Sequence, residues 1–204
     1  MFSNDIINLK NIFFHLYVGD ILKARDGKSL LGSFILTLIS IDCISHLDKM
    51  GIDKWIEKNL KLHKSYSLLL KKIRNGFIHN AGTSINISKD PTNKLTEIKY
   101  IFGKSEVIFI KKKNGVVILY PDLLLIFYII ALNNYFNKLL TENNDKLKSF
   151  TDLSKNILHF YNKSFKNWDL IKYESIHPLL APLDNSDKID HISFTKSFFN
   201  RYNC

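Results

Sequence analysis

Arg74, Asn75 and His79 form the pattern R-N-x-x-x-H near the middle of the chain, and their types and spacing could do chemistry. A histidine titrates near neutral pH and can therefore accept and return a proton. The planar guanidinium of an arginine suits oxyanions, and an asparagine amide can orient either partner through hydrogen bonds. Residues of these three types could together move a proton beside an anionic centre.

A helix is predicted to position this motif, because the side chains before it follow helical spacing from about Asp53 to Phe77, with an interruption near Leu60. One broad apolar stripe contains Leu62, Tyr66, Leu69, Leu70, Ile73 and Phe77. We expect the motif to lie on the other side, where Leu68 indicates a partner surface. The same polar side carries three lysines that could bind an anionic ligand: Lys64, Lys71 and Lys72.

The spacing of the motif creates a geometric problem. In a straight helix, residues five apart are separated by about 140° around the axis, so Arg74 and His79 do not converge, whereas Asn75 and His79 are one turn apart. Either Gly76 loosens the helix end, or Arg74 reaches the site of a second protomer. The exposed motif face and Leu68 favour the second arrangement.

Asp42 is a further candidate, on a preceding helix that we expect from about Ser29 to Met50, ended by Gly51. A carboxylate there could pair with Arg74 and hold the guanidinium in place. Alternatively, it is an ordinary residue at the helix edge with a local partner in His46, one turn later.

The spacing of apolar residues along the rest of the chain predicts a mainly α fold, a helical bundle with a small antiparallel β-sheet insertion. A helix is expected over residues 5–18, strands over 84–88, 95–102, 106–110 and 116–119, and a hairpin turn at Asn114-Gly115. The most buried helix should start at Pro121. A domain of residues 1–142, with the insertion at about 83–120, is followed by a C-terminal helical extension, 143–204, whose tail we treat as a decoration.

Composition narrows the class of protein. The 204 residues carry 29 basic and 19 acidic side chains, a net charge of +10, which favours polyanions as partners. The longest apolar run, Leu123 to Leu132, is far shorter than the roughly 20 residues of a membrane span. The N-terminus lacks a signal-peptide pattern. The two cysteines, Cys43 and Cys204, could form one bridge, but reduced thiols in a cytosolic protein are the favoured interpretation. We therefore expect a cytoplasmic protein that does not contact a membrane.

The segment RNGFIHNAG resembles the R-x4-6-H signature of the HEPN superfamily (higher eukaryotes and prokaryotes nucleotide-binding domain), and SFILTLISIDCISHL resembles the helix that packs beside it. The resemblance covers about residues 1–142. It implies a two-fold homodimer whose motifs meet at the interface, and often a metal-independent endoribonuclease. By this resemblance Arg74, Asn75 and His79 of both protomers are catalytic. Asp42 would support them, and the three lysines would bind RNA.

The implied reaction is cleavage of RNA by attack of a 2′-hydroxyl on its own phosphate, with His79 transferring protons and Arg74 beside the phosphorane oxygens. No metal or cofactor is expected. A toxin or host-defence effector of a microbe, with a cognate antitoxin or regulatory protein, would fit this activity. The alternative is a non-catalytic, dimeric HEPN-like binding or regulatory module that uses the same face.

Simpler interpretations stay open for each feature. Arg74 and His79 could be surface residues that a helix C-terminus favours electrostatically. Glu97-Ile98-Lys99 is the local part of a metal-dependent nuclease pattern, which also needs an aspartate on the neighbouring strand. Asp90 precedes it, but Pro91 and a turn intervene, so a solvated hairpin face is the simpler explanation. The basic run 111–113 is interpreted as a solvated hairpin tip, and a phosphate contact is the alternative. Four scattered histidines are taken as structural: His63, His159, His177 and His191.

Overall fold

A long apolar helix organises the fold. The computed structural model of the chain describes residues 2–79, 97–113, 115–141, 177–180 and 190–202. Its helices are α1 (Phe2–Ile12), α2 (Gly19–Asp26), α3 (Leu30–Leu47), α4 (Ile52–Trp55), α5 (Lys64–His79), α6 (Pro121–Thr141) and α7 (His191–Tyr202). Two π-helical segments, Phe13–Val18 and Ile56–Leu60, join α1 to α2 and extend α4. The predicted mainly α class is confirmed.

Helix α6 occupies the centre of the core, as its nearly continuous apolar sequence predicts. Fifteen of its residues are buried, beginning with Pro121 at its first position. Helices α1, α3 and α7 and the second π-helical segment pack around it, and α5 packs against α3 and α4. Helix α3 contacts α2, α5 and α6. It therefore connects the core around α6 to α5, the helix that holds the motif.

The end of α3 differs from the sequence prediction. Lys49, not Gly51, takes the left-handed conformation that closes the helix, with φ of 52°. The N–H of Met50 donates to the carbonyl of Ser45 at 2.9 Å, and that of Lys49 donates to His46 at 3.0 Å. These two bonds form a Schellman cap. Gly51 has extended backbone and begins α4 instead.

The sheet is mixed, not antiparallel as predicted. Its strands β1 (Glu97–Tyr100), β2 (Phe109–Lys111) and β3 (Val116–Leu119) lie in the order β1-β3-β2. The hairpin prediction is confirmed, because β2 and β3 pair antiparallel and Gly115 has φ of 81°. However, β1 joins the opposite edge of β3 in parallel, because residues 101–108 carry the chain back past β3 before the hairpin begins. The predicted strand 84–88 lies outside the described residues.

Helix α7 contributes directly to the core. Its Phe194, Phe198 and Phe199 are buried in the same cluster of side chains as α6. The segment that the sequence suggests is a decoration therefore includes core residues. The stretch expected to be helical at 147–165 lies outside the described part of the chain.

Each of the chain's three arginines pairs with an aspartate, and the first pair is buried. Arg25 donates to both carboxylate oxygens of Asp122, at 2.7 and 3.1 Å, and these side chains are 9% and 2% exposed. The N–H of Gly103 donates to the same carboxylate at 2.7 Å, and the guanidinium lies 4.7 Å from the ring centre of Tyr202. This pair connects α2, the start of α6, the segment that follows residue 100, and α7.

A second charged cluster lies beside it, around Asp26 at the end of α2. Arg201 donates to both of its oxygens, at 3.2 and 2.8 Å, and the buried His177 reaches it through Nε2 at 3.1 Å. The Nδ1 atom of His177 accepts from the N–H of Leu179, so Nε2 carries the proton of the neutral ring. The expectation that His177 is a structural histidine is confirmed.

Two helices, α3 and α6, are long and apolar enough to cross a membrane by length and composition alone. The apolar window of α6 is 72% buried within the fold and that of α3 is 50% buried. Core helices of globular proteins pass the same test, so this is weak evidence for a membrane span.

The buried ion pair yields a stability prediction. Replacing Asp122 by Asn removes the charge that offsets Arg25, and we expect the free energy of unfolding to fall by about 3 kcal/mol. Asp20→Asn is the matched control, because its pair with Lys23 is exposed and worth less than about 1 kcal/mol. Urea denaturation measures both values. Equal losses in the two variants would contradict the prediction.

The second cluster yields a pH prediction. Burial lowers the pKa of His177 below its ordinary 6.5, although Asp26 opposes the shift. The unfolded chain therefore binds the proton first, and stability present above pH 6.5 is lost as the pH falls toward the folded pKa. Burial would raise the pKa of Asp26, but hydrogen bonds from Arg201, Tyr202 and His177 hold it at about 2, so this carboxylate stays ionised between pH 7 and 5.

We expect His177→Asn to flatten this decline in unfolding free energy from pH 7 to pH 5, because an asparagine can accept from Leu179 but does not titrate. His46→Asn, at an exposed position on α3, serves as the control. Denaturant titrations at each pH give the slopes. A slope in His177→Asn as steep as in the parent chain would refute the assignment.

Candidate functional site

The centre of the candidate site is an ion pair between α5 and α3. Arg74, in the last turns of α5, donates through one Nη atom to Asp42 of α3 and through the other to Oδ1 of Asn75 at 3.0 Å. The Arg74 side chain is 21% exposed and that of Asp42 is 15% exposed. Of the two alternatives that the sequence leaves open for Asp42, the structure has the pair with Arg74, half-buried at the edge of the helix packing.

Its orientation differs from the prediction. We expected Arg74 to face away from the core, toward a second protomer, whereas both Nη atoms are engaged within the same chain. The Nε atom of Arg74 is buried and has no hydrogen-bond partner among the described residues. Arg74 follows the fully buried Ile73, and the crossing of α3 beside α5 places a carboxylate where the wheel of α5 alone suggested solvent.

His79 is the last residue of α5, and its side chain lies outside the described atoms. The helix runs without a break through the buried Gly76, so the suggested loosening of the helix end does not occur. Arg74 and His79 therefore keep a separation of about 140° around the axis. Of the other two motif residues, only Asn75 lies on the same face of α5 as His79, one turn before it.

The three candidate RNA-binding lysines are not equivalent. Lys71 donates to Asp53 at 2.9 Å, and this hydrogen bond lowers the pKa of the Asp53 carboxyl. Its charge is therefore already offset within the chain. Lys64 and Lys72 are exposed on α5.

Cys43 lies next to Asp42 and is half-buried. Burial raises the pKa of its thiol, with Asp42 adding to the effect and with Tyr17 and Arg74 opposing it. A neutral thiol is a poor nucleophile, so its raised pKa disfavours Cys43 as a nucleophile. Tyr17 belongs to the first π-helical segment, which the sequence periodicity did not reveal.

An open apolar face of α3 leads up to the ion pair. Leu31 and Leu36 are 47% and 37% exposed, and Ile35 and Ile39 are half-buried between them and Asp42. On α5, Leu68 is 37% exposed, as the sequence indicated. Sequence reasoning missed the face on α3, because that helix is apolar nearly all round and no single side stands out.

The competing sites are less complete. Glu97 and Lys99 pair at 3.7 Å with more than half of each side chain exposed, whereas Asp90 lies outside the described residues. Within the described ranges no group of three His, Cys, Asp or Glu residues could hold a metal ion. His63 is exposed and pairs locally with Ser65, and His159 is not among the residues described.

The comparisons with known proteins identify no relative. No protein-family model matches the chain, and neither the curated proteins nor the solved structures contain a significant match.

Proposed function

We propose that the protein is a metal-independent endoribonuclease of HEPN type, with a site formed by Arg74, Asn75 and His79 and supported by Asp42. The half-buried Arg74–Asp42 pair is the observation that carries this proposal. It fixes a guanidinium near the end of α5 in a side chain that is 21% exposed, and the planar fork of a guanidinium suits the oxygens of a phosphate.

In the proposed reaction, the 2′-hydroxyl of the RNA attacks the adjacent phosphorus. His79 accepts the hydroxyl proton, the P–O5′ bond breaks, and the His79 of a second copy donates a proton to the leaving 5′-oxygen. The products are a 2′,3′-cyclic phosphate and a 5′-hydroxyl. Arg74 stabilises the charge on the phosphorane oxygens, and Asn75 orients the guanidinium through its Oδ1.

A homodimer follows from this mechanism, because the arginine and the histidine of one α5 lie on different sides of the helix. The open face of α3, with Leu31, Ile35, Leu36 and Ile39, is a surface on which a second copy could bury apolar area beside the ion pair. RNA is the proposed substrate, and the charge of +10 favours its encounter. A cytoplasmic toxin or host-defence effector, held in check by an antitoxin or regulatory protein, fits this activity.

A second candidate, a non-catalytic HEPN-like module, is favoured by the other arginines. Arg25 and Arg201 also pair with aspartates, at places where the pair connects structural elements. By that pattern Arg74 would be a third structural clamp between α3 and α5. The dimer face would then serve a protein or nucleotide partner without chemistry.

The activity prediction takes another arginine–aspartate pair as its control. Arg74→Ala and His79→Ala should each reduce RNA cleavage by at least about a hundredfold, because each removes transition-state stabilisation or proton transfer. Arg201→Ala removes an arginine with an aspartate partner far from α5 in sequence and should retain cleavage. Gel assays with unmodified RNA, in EDTA, measure the rates.

Cleavage that survives in both α5 variants would exclude the proposed site. Loss of parental activity in EDTA would instead favour the Glu97-Ile98-Lys99 strand and a metal-dependent reaction. A parent chain that binds many RNAs but cleaves none would support the non-catalytic module.

The dimer prediction concerns α3. Leu36→Asp places a charge in the proposed interface and should shift the protein toward monomer in analytical ultracentrifugation, with cleavage falling in parallel. Leu140→Asp, at an equally exposed leucine of α6, is the control and should leave the mass unchanged. A dimer that persists in Leu36→Asp would place the interface elsewhere.

A further inference from the structure

The outer face of the sheet forms a lysine-rimmed platform that the proposed cleavage site does not use. Lys99 of β1 lies on one side, Lys112 and Lys113 of the hairpin lie on the other, and Val116 and Ile118 of β3 form the floor of a shallow depression between them. On the opposite face, Phe109, Val117 and Leu119 are buried in the core. On this face Val116 is also buried and Ile118 is half-buried, whereas the three lysines around them are exposed. The fold therefore turns this rim outward.

Charge on the platform is poorly compensated. Lys112 and Lys113 are exposed and have no ion-pair partner within the described part of the chain. Lys99 has only Glu97, at 3.7 Å, with both side chains more than half exposed, and such pairs are weak in water. Three ammonium groups and one carboxylate leave a net positive surface.

The shape of the platform indicates a strand of phosphates rather than a small molecule. The register places Lys99 beside Ile118, and the N–H of Lys112 donates to the carbonyl of Val116, so β3 separates the two rims. Neighbouring strands lie about 4.8 Å apart, which sets the rims about 10 Å from each other. The floor is aliphatic and offers no aromatic ring for base stacking. Lysines act as point charges for phosphates and carry no base-specific fork.

We propose that this lysine-rimmed platform binds the sugar–phosphate backbone of an RNA strand without sequence preference and holds substrate for the α5 site. The platform is a binding surface and contributes no catalytic residue. The inference rests on the proposed function for the identity of its ligand, but its test uses RNA that cannot be cleaved.

The test compares two triple variants that each lower the net charge from +10 to +7. The platform variant carries Lys99→Gln, Lys112→Gln and Lys113→Gln, and the control carries Lys54→Gln, Lys58→Gln and Lys196→Gln at other exposed positions. Fluorescence anisotropy with a 2′-O-methyl oligoribonucleotide gives Kd over a range of salt concentrations. Each phosphate contact in a single strand contributes about 0.7 to the slope of log Kd against log salt.

We expect the platform variant to lower this slope by about 2 and the control to leave it nearly unchanged. An unchanged slope in the platform variant, or equal losses in both variants, would overturn the inference. Loss of binding to phosphatidylserine vesicles with RNA binding intact would assign the platform to anionic lipid and likewise overturn it.

Cleavage assays separate this inference from the proposed function. With unmodified RNA, the platform variant should raise KM and leave kcat unchanged. A parent chain that cleaves nothing would refute the endoribonuclease, whereas the salt slopes would still decide whether the platform binds RNA.

Discussion

The cost of removing charge from water governs how this fold is held together. Arg25 and Asp122 are almost fully buried, so neither side chain could occupy its place without the other. Their contact joins α2 to the first turn of α6, and the same carboxylate fixes the N–H of Gly103 beyond β1. Because the ring of Tyr202 covers the guanidinium, the end of α7 is tied to this point as well.

The cost of burying a charge explains where this chain uses arginine and where it uses lysine. The chain uses lysine for 26 of its 29 basic residues, and its three arginines each meet an aspartate. A guanidinium is less strongly hydrated than an ammonium and binds a carboxylate with two donors, so it tolerates partial burial better. Two of the three arginines, Arg25 and Arg74, accordingly lie where the cation is buried or half-buried, whereas Arg201 is exposed. By itself the use of arginine does not distinguish a catalytic cation from a structural one.

The sequence predicts a helix and its buried face well where the apolar spacing within that one segment is sufficient. The apolar run after Pro121 predicts α6, and the interruption near Leu60 predicts the break before α5. The apolar stripe around Ile73 predicts the face of α5 that packs inward. Such patterns fail where two elements meet. The burial of Arg74 depends on α3 crossing α5, and the parallel placement of β1 depends on the path of the following loop, neither of which a periodicity encodes. Charge and residue type offer the Arg74–Asp42 contact only as one of two alternatives for Asp42, and the structure has that contact. The catalytic roles of Arg74, Asn75 and His79 stay predictions.

The π-helical segment Phe13–Val18 has a consequence for how the first 26 residues are interpreted. A π turn accommodates about one extra residue, which rotates everything after it by about 100° relative to a regular helix. A helical wheel continued across the segment therefore assigns the wrong face to α2. The predicted helix also ends at Val18, whereas helical structure continues to Asp26. This rotation brings Ile21, Leu22 and Arg25 onto the buried side, so a single inserted residue sets which cation of the N-terminal helix reaches the core.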